Sequence, residues 1–128
     1  ELSAPRLGCV LGSTGGGRDK WKRPEMGKIA VQYCSEIILT NEDPYDENPD
    51  QIISEIQSGI SNPPSNVKVI IDRRSAIHEA LSLAKKGDVV IITGKGCEQF
   101  MMGPNGEKIP WDDREVVREE IKNLKIKM

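Results

Sequence analysis

Four short apolar runs divide the chain: Leu7 to Leu11, Ile37 to Thr40, Val67 to Ile71 and Val89 to Thr93. They are continuous rather than alternating, the pattern of parallel strands covered on both faces. Between them the apolar spacing changes to three and four. Met26, Ile29, Ala30, Tyr33 and Cys34 share one face of a predicted first helix. Pro24 falls near its start, where a missing N–H costs nothing. Asn48 predicts the N-cap of a second helix, with Pro49 at its first position, Ile52, Ile53 and Ile56 facing inward, and Gly59 as C-terminal cap. A third helix follows Asp72, with Ile77, Ala80, Leu81 and Ala84 as its stripe and Lys85-Lys86-Gly87 as its stop. A last helix starts near Asp112, with Glu115 in capping-box spacing and Val117, Ile121 and Leu124 as its buried edge. Pro104-Asn105-Gly106 is a turn signal, and Phe100 to Met102 with Glu107 to Ile109 predict a hairpin around it. The alternation of strands and helices predicts an α/β fold. It is a Rossmann-like, mostly parallel sheet with helices on both faces, right-handed crossovers and a hairpin near the C-terminus.

Composition narrows the function classes. A length of 128 residues predicts one domain, residues 1–128. A net charge of -2 argues against a general nucleic-acid binder. Two Trp, two Tyr and one Phe offer no stacking platform for single strands, and Trp21 and Trp111 read as packing or site-rim residues. No apolar run approaches the roughly 20 residues of a membrane span, and no signal-peptide pattern is present. The three cysteines, Cys9, Cys34 and Cys97, are odd in number and widely spaced. They predict reduced thiols in a cytosolic protein rather than a disulfide framework or metal site. The start at Glu1, without a methionine, reads as a piece of a longer protein, though a tag scar or processing would give the same start.

The chemistry-bearing residues gather just past the strand ends. Gly12-Ser13-Thr14-Gly15-Gly16-Gly17-Arg18-Asp19-Lys20 follows the first run, and Asn41-Glu42-Asp43-Pro44-Tyr45-Asp46-Glu47 the second. Asp72-Arg73-Arg74 follows the third, and Gly94-Lys95-Gly96-Cys97-Glu98 the fourth. In open α/β sheets this edge is where ligands bind. The first loop has the glycine spacing of a Walker loop, but Arg18 stands where lysine is required and Asp19 where Ser or Thr should be. It reads as an anion-binding loop or as a plain flexible one. The second loop is acidic, suited to an ammonium group or a cation, or simply to the start of a helix. In the fourth, Gly94 and Gly96 allow close backbone approach, Lys95 suits a carboxylate or phosphate, and Glu98 suits an amine. A tight turn explains the same glycines. Cys97 has no histidine partner for nucleophilic catalysis, because the single histidine, His78, lies on a helical pattern and reads as solvated.

Together these motifs resemble one family. Residues 15 to 27 are similar to the Gly-Gly-Asp-Arg-Asp-x-x-Lys-Arg-Pro-x-Met-Gly segment of the Mur ligases that add the third residue of the peptidoglycan stem peptide, the UDP-N-acetylmuramoyl-tripeptide synthetases. Thr40 to Pro49 resembles their Thr-x-Asp-Asn-Pro-Arg-x-Glu-x-Pro stretch, and Asp72 to Ile77 their Asp-Arg-x-x-Ala-Ile. Gly87 to Glu98 resembles Gly-Asp-x-Val-x-x-x-Gly-Lys-Gly-His-Glu, and Asp112 to Glu115 the ending Phe-x-Asp-Arg-Glu.

The resemblance implies the C-terminal domain of a three-domain, ATP-dependent amide ligase of the bacterial cytoplasm. The first domain would bind the UDP-muramoyl dipeptide. The central domain would hold ATP and Mg, and this segment would carry no metal ligand and no catalytic residue. An acyl phosphate is attacked by the amine of the incoming amino acid. By match to the motifs, Arg18 meets that amino acid's carboxylate, Asp43 and Tyr45 read its side chain, and Gly94 and Glu98 hold its far amino end, with Lys95 beside them. Tyr45 stands where diaminopimelate-adding members have arginine, Asp43 replaces an asparagine, Cys97 a histidine and Gly17 an acid. The first two predict lysine or another amino acid with a terminal amine. The alternatives are a stand-alone, non-catalytic α/β binding module, or a ligase domain like those that extend folate with glutamate. Glu98 and the acidic loop argue against an acidic substrate.

Overall fold

The computed structural model describes residues 5–17, 19–61, 66–95 and 97–127. Strands β1 (Leu7–Leu11), β2 (Glu36–Leu39), β3 (Val67–Val69) and β4 (Val89–Ile92) form one parallel sheet in the order β3-β2-β1-β4. Helices α1 (Lys22–Tyr33), α2 (Pro49–Gln57) and α3 (Arg73–Leu83) connect them, and α4 (Asp113–Lys127) closes the described chain. Between β4 and α4, β5 (Phe100–Met102) pairs antiparallel with β6 (Lys108–Pro110) around a 3-10 turn at Pro104–Gly106. The α/β class, the parallel sheet with helices on both faces and the hairpin are those the sequence predicts. No helix among the described residues is long and apolar enough to cross a membrane.

Strand alternation sorts the core into two layers. Val10 and Ile38 face Ala76, Ile77 and Ala80 of α3 and Val116 of α4. Ile37 and Leu39 face Ala30 of α1 and Ile52, Ile53 and Ile56 of α2. The predicted N-cap at Asn48 forms, its side chain accepting a hydrogen bond from the Asp50 amide; Asp72 caps α3 in the same way, accepting from the amide and hydroxyl of Ser75. α3 ends at Leu83, ahead of the predicted lysine–glycine stop.

Several expectations about faces are corrected. β4 is an edge strand, so only Val90 and Ile92 pack against the α3–α4 layer, while Val89 and Ile91 are exposed. On α1 the buried positions are Arg23, Gly27 and Ala30, whereas Ile29 and Tyr33 are exposed. The reason is the crossing of α1 over α2. A side chain at Gly27 would strike the Ile56 carbonyl, and one at Gly59 the Pro24 carbonyl. Gly59 is thus needed for close approach and has no left-handed φ, so it is not the cap the sequence suggests. On α4, Val116 and Glu120 are buried and Ile121 is exposed. His78 is not free in solvent, because its Nδ1 lies 2.9 Å from Glu120 Oε1. Cys9 and Cys34 are joined as a disulfide instead of resting as thiols, because the end of α1 returns Cys34 beside β1 with the two Cα atoms 6.3 Å apart.

The α1–α2 crossing yields a prediction whose sign runs against helix propensity. Gly27→Ala gains up to about 1 kcal/mol of helical preference. It also forces a methyl group into a carbonyl, an overpacking that costs about 1–3 kcal/mol. Thermal melting should show net destabilisation. An unchanged or raised Tm would contradict the crossing described.

Candidate functional site

The strand order reverses between β1 and β4, since the chain runs β1, β2, β3 outward and then returns to the far side of β1. Ligands bind at such a switch point, outside the carboxyl ends of the strands. A cavity of about 550 Å³ lies there. Leu11, Gly12, Ser13 and Thr14 from the end of β1 and Thr93 and Gly94 from the end of β4 form its base. Asp19, with Lys22 and Met26 of α1, forms another part of its lining, and Glu42 lines it from the loop after β2.

Glu42 is buried, and one of its carboxylate oxygens accepts a 2.6 Å hydrogen bond from Thr14 Oγ1. The other has no partner among the described residues. A Cβ on Gly94, whose φ is +107°, would stand 2.5 Å from that oxygen, so glycine is required opposite the carboxylate. Burial pushes the Glu42 carboxyl above the usual range, helped by Asp43. Thr14, Arg73 and Lys95 pull the other way without cancelling it. A half-satisfied, buried carboxylate facing a cavity is a candidate ligand group.

Three fully buried cations position the walls. Arg23 donates to Glu47 at 3.0 and 3.1 Å, to Glu55 at 2.9 Å and to the Thr14 carbonyl at 2.9 Å. Arg73 grips Asp113 at 3.0 and 2.9 Å and donates to the carbonyls of Asn41 at 3.0 Å and Thr93 at 2.8 Å. Lys95 donates to both Asp43 oxygens at 2.8 Å and to Glu98 at 2.9 Å. Burial opposes the charge on Lys95, but these hydrogen bonds outweigh it and raise its pKa. Likewise the Arg23 hydrogen bond holds the Glu47 carboxyl below the usual range, with Gly17 and Lys20 adding to it against desolvation.

Of the residues singled out from sequence, Asp43, Lys95 and Glu98 come together. None of the three lines the cavity. The Asp43 carboxylate faces Lys95 and accepts from the Met102 amide at 2.7 Å, which docks β5. Tyr45 donates its amide to the Met102 carbonyl, and its ring lies beside Gly16. Gly94 does line the cavity. Arg18 lies outside the described residues, as do Gly96 and Glu1. Cys97 is a free, exposed thiol, Trp21 is exposed, and Trp111 donates its indole N–H to Asp113. Among the described residues no group of three or more His, Cys, Asp or Glu side chains is arranged to hold a metal.

Sequence reasoning counted Glu42 only as one of an acidic cluster. Its signal was its place just past the strand, facing a glycine at the end of another. Arg23 and Arg73 were missed as buried groups. Each shares a helical face with small or apolar residues, Arg23 with Gly27 and Ala30, Arg73 with Ala76, Ile77 and Ala80.

The fold is a Rossmann-like α/β domain with an open cavity at its switch point. Residues 1–96 match the model of the family described as Mur ligase, glutamate ligase domain, and the chain belongs to that family. It is 45% identical over 119 residues to a UDP-N-acetylmuramoyl-L-alanyl-D-glutamate--2,6-diaminopimelate ligase of Nitrosomonas europaea, covering 93% of this chain and 22% of that protein. A protein of the same name from Caldanaerobacter subterraneus subsp. tengcongensis is 48% identical over 120 residues, covering 93% and 24%. A solved structure of a ligase of that name superposes with a TM-score of 0.87 at 35% identity, covering 95% of this chain and 25% of the other. The chain thus spans about a quarter of the length of these relatives.

The raised Glu42 pKa fixes the sign of a stability test. A carboxyl whose folded pKa lies above its unfolded value costs nothing below the unfolded value of about 4.3. It costs progressively more as pH rises through the folded value. Glu42→Gln, which keeps an oxygen for Thr14, should therefore raise the Tm at pH 7, and the gain should vanish below about pH 4. A lower Tm for the variant at pH 7 would mean that Glu42 is compensated by its neighbours.

Proposed function

We propose that this chain is the amino-acid-binding, C-terminal domain of a three-domain ATP-dependent ligase. That ligase joins a diamino acid, as third residue, to UDP-N-acetylmuramoyl-L-Ala-D-Glu in peptidoglycan synthesis in the bacterial cytoplasm. The observation that carries the reading is the Glu42–Gly94 pair at the switch point of a domain belonging to the Mur ligase family. The names of the relatives support the reaction. A buried carboxylate with one oxygen unpartnered among the described residues suits an ammonium group, and the bare Gly94 backbone allows a ligand close approach. Arg18, as the motif match implies, takes the carboxylate of the amino acid. Asp43, Tyr45, Glu98 and Lys95 form the neighbouring part of the site, where Lys95 holds Asp43 and Glu98 in place.

In the full-length protein the central domain binds ATP and Mg, and the first binds the nucleotide-linked dipeptide. Phosphoryl transfer from ATP makes an acyl phosphate and ADP. The amine of the amino acid attacks its carbonyl carbon, forming the amide and releasing phosphate. The role of this domain is to hold the amine in line for that attack, which lowers the entropic part of the barrier.

The names of the relatives favour 2,6-diaminopimelate. Tyr45, in place of the arginine of diaminopimelate-adding members, favours lysine. Asp43 no longer adds to that argument, because Lys95 neutralises it. Amide formation by the full-length protein, assayed with ATP, the UDP-muramoyl dipeptide and each amino acid in turn, should proceed with a diamino acid and not with glutamate or glycine. Tyr45→Arg should raise the diaminopimelate-to-lysine ratio of kcat/KM by about tenfold, the worth of one charge-assisted contact. Preference for glutamate would sink the diamino-acid reading, and an unmoved ratio would remove Tyr45 as its selector.

A further inference from the structure

We infer that Cys9 and Cys34 are a thiol–disulfide modification site, a redox clamp on the loop that forms one wall of the cavity. The inference stands whatever ligand the cavity takes. Cys9 lies within β1, opposite Ile37 of β2 and Ile91 of β4. Cys34 caps the end of α1, where its amide donates to the Ala30 carbonyl at 2.8 Å. The next residue, Ser35, donates its amide to the Leu7 carbonyl at 2.8 Å. The backbone of the β1–α1–β2 unit therefore holds the two sulfurs together by its own hydrogen bonds, with or without the covalent bond.

The ring so closed has a sequence separation of 25 and contains the wall of the site. Leu11, Gly12, Ser13, Thr14, Lys22 and Met26 line the cavity from within it. The two cysteines are not equally buried: Cys9 is only 9% exposed, while Cys34 is half-buried and the more accessible residue. Beside them Val89 and Ile91 leave the same face of β4 open.

Oxidation balances with a low-molecular-weight disulfide as oxidant. The Cys34 thiolate attacks one sulfur of that disulfide and expels one thiolate. The Cys9 thiolate then attacks the Cys34 sulfur, breaks the mixed disulfide and expels the second thiolate. The two protons lost by the cysteines go to the two released thiolates. The two electrons lost by the pair reduce the oxidant. Excess small thiol runs the sequence backward. A disulfide removes freedom from the opened chain between its ends, so the oxidised loop opens less often.

The full-length protein would be equilibrated in buffers of graded oxidised-to-reduced glutathione, acid-quenched, alkylated and digested without reduction. Mass spectrometry should find the peptide of Cys9 linked to that of Cys34 as the ratio rises, with Cys97 alkylated or joined to glutathione but linked to neither of them. Hydrogen exchange over Gly12 to Gly17 should slow by about tenfold or more in the oxidised form. Cys34→Ser should abolish both the link and the redox dependence while leaving exchange in β2 unchanged. Separate alkylation of Cys9 and Cys34 at every ratio, or linkage through Cys97, overturns the site. A linked pair with unchanged exchange over the loop overturns the clamp.

Discussion

The guanidinium of Arg73 holds the carboxyl edge of the sheet together. It reaches from the first turn of α3 to the backbone carbonyls that leave β2 and β4, and it meets Asp113 at the head of α4. Those half-buried carbonyls lie past the strand ends and have no strand partners, so the guanidinium supplies their donors. Charge-assisted, two-pronged bonds fix both angle and distance. Removing one member of such a buried pair costs about 3–5 kcal/mol, most of it from the charge left behind. Arg23 repeats the device between the loops after β1 and β2, and Lys95 repeats it between those after β2 and β4.

This lacing explains where the open space lies. The cations draw the loops after β1, β2 and β4 toward one another, but none of these three cations lines the gap between the ends of β1 and β4. That gap is the cavity, and among the described residues its one buried, half-satisfied carboxylate is Glu42. The acidic loop after β2 thus divides its work. Asp43 and Glu47 are held by buried cations, Asp46 accepts from the Asn105 amide of the hairpin, and Glu42 alone of these faces the cavity. Glu42 carries a cost, because a desolvated carboxylate destabilises the empty domain, and that cost falls on the group the proposed function assigns to the ligand.

Much of the fold was readable in the sequence because strands and helices obey local rules. Asn48 and Asp72 cap helices as their residue types demand, and the apolar runs became strands. What could not be read was the partner of each surface. Ile29 and Tyr33 share a helical face with Ala30, but two glycines set which part of α1 meets α2. Val89 and Ile91 look like core residues, yet an edge position leaves them open. The site shows the same division. Strand-end loops located it, and Gly94 lies in its lining. Lys95, read from the sequence as suited to a carboxylate or phosphate, is buried against two carboxylates of the chain itself, and no spacing rule reveals such a pairing. Cys9 and Cys34 are far apart in sequence and adjacent only once β1, α1 and β2 are folded.

The central claim is that buried cations, rather than apolar packing alone, set the loop geometry of the site. Residue-resolved hydrogen exchange on a Lys95→Met variant tests it most directly, since methionine keeps the length of the side chain and removes the charge. Amides of the Asn41 to Asp46 loop and of Met102 should exchange faster, while those of β1 and β2 keep their protection. Unchanged exchange in that loop and at Met102 would contradict the account.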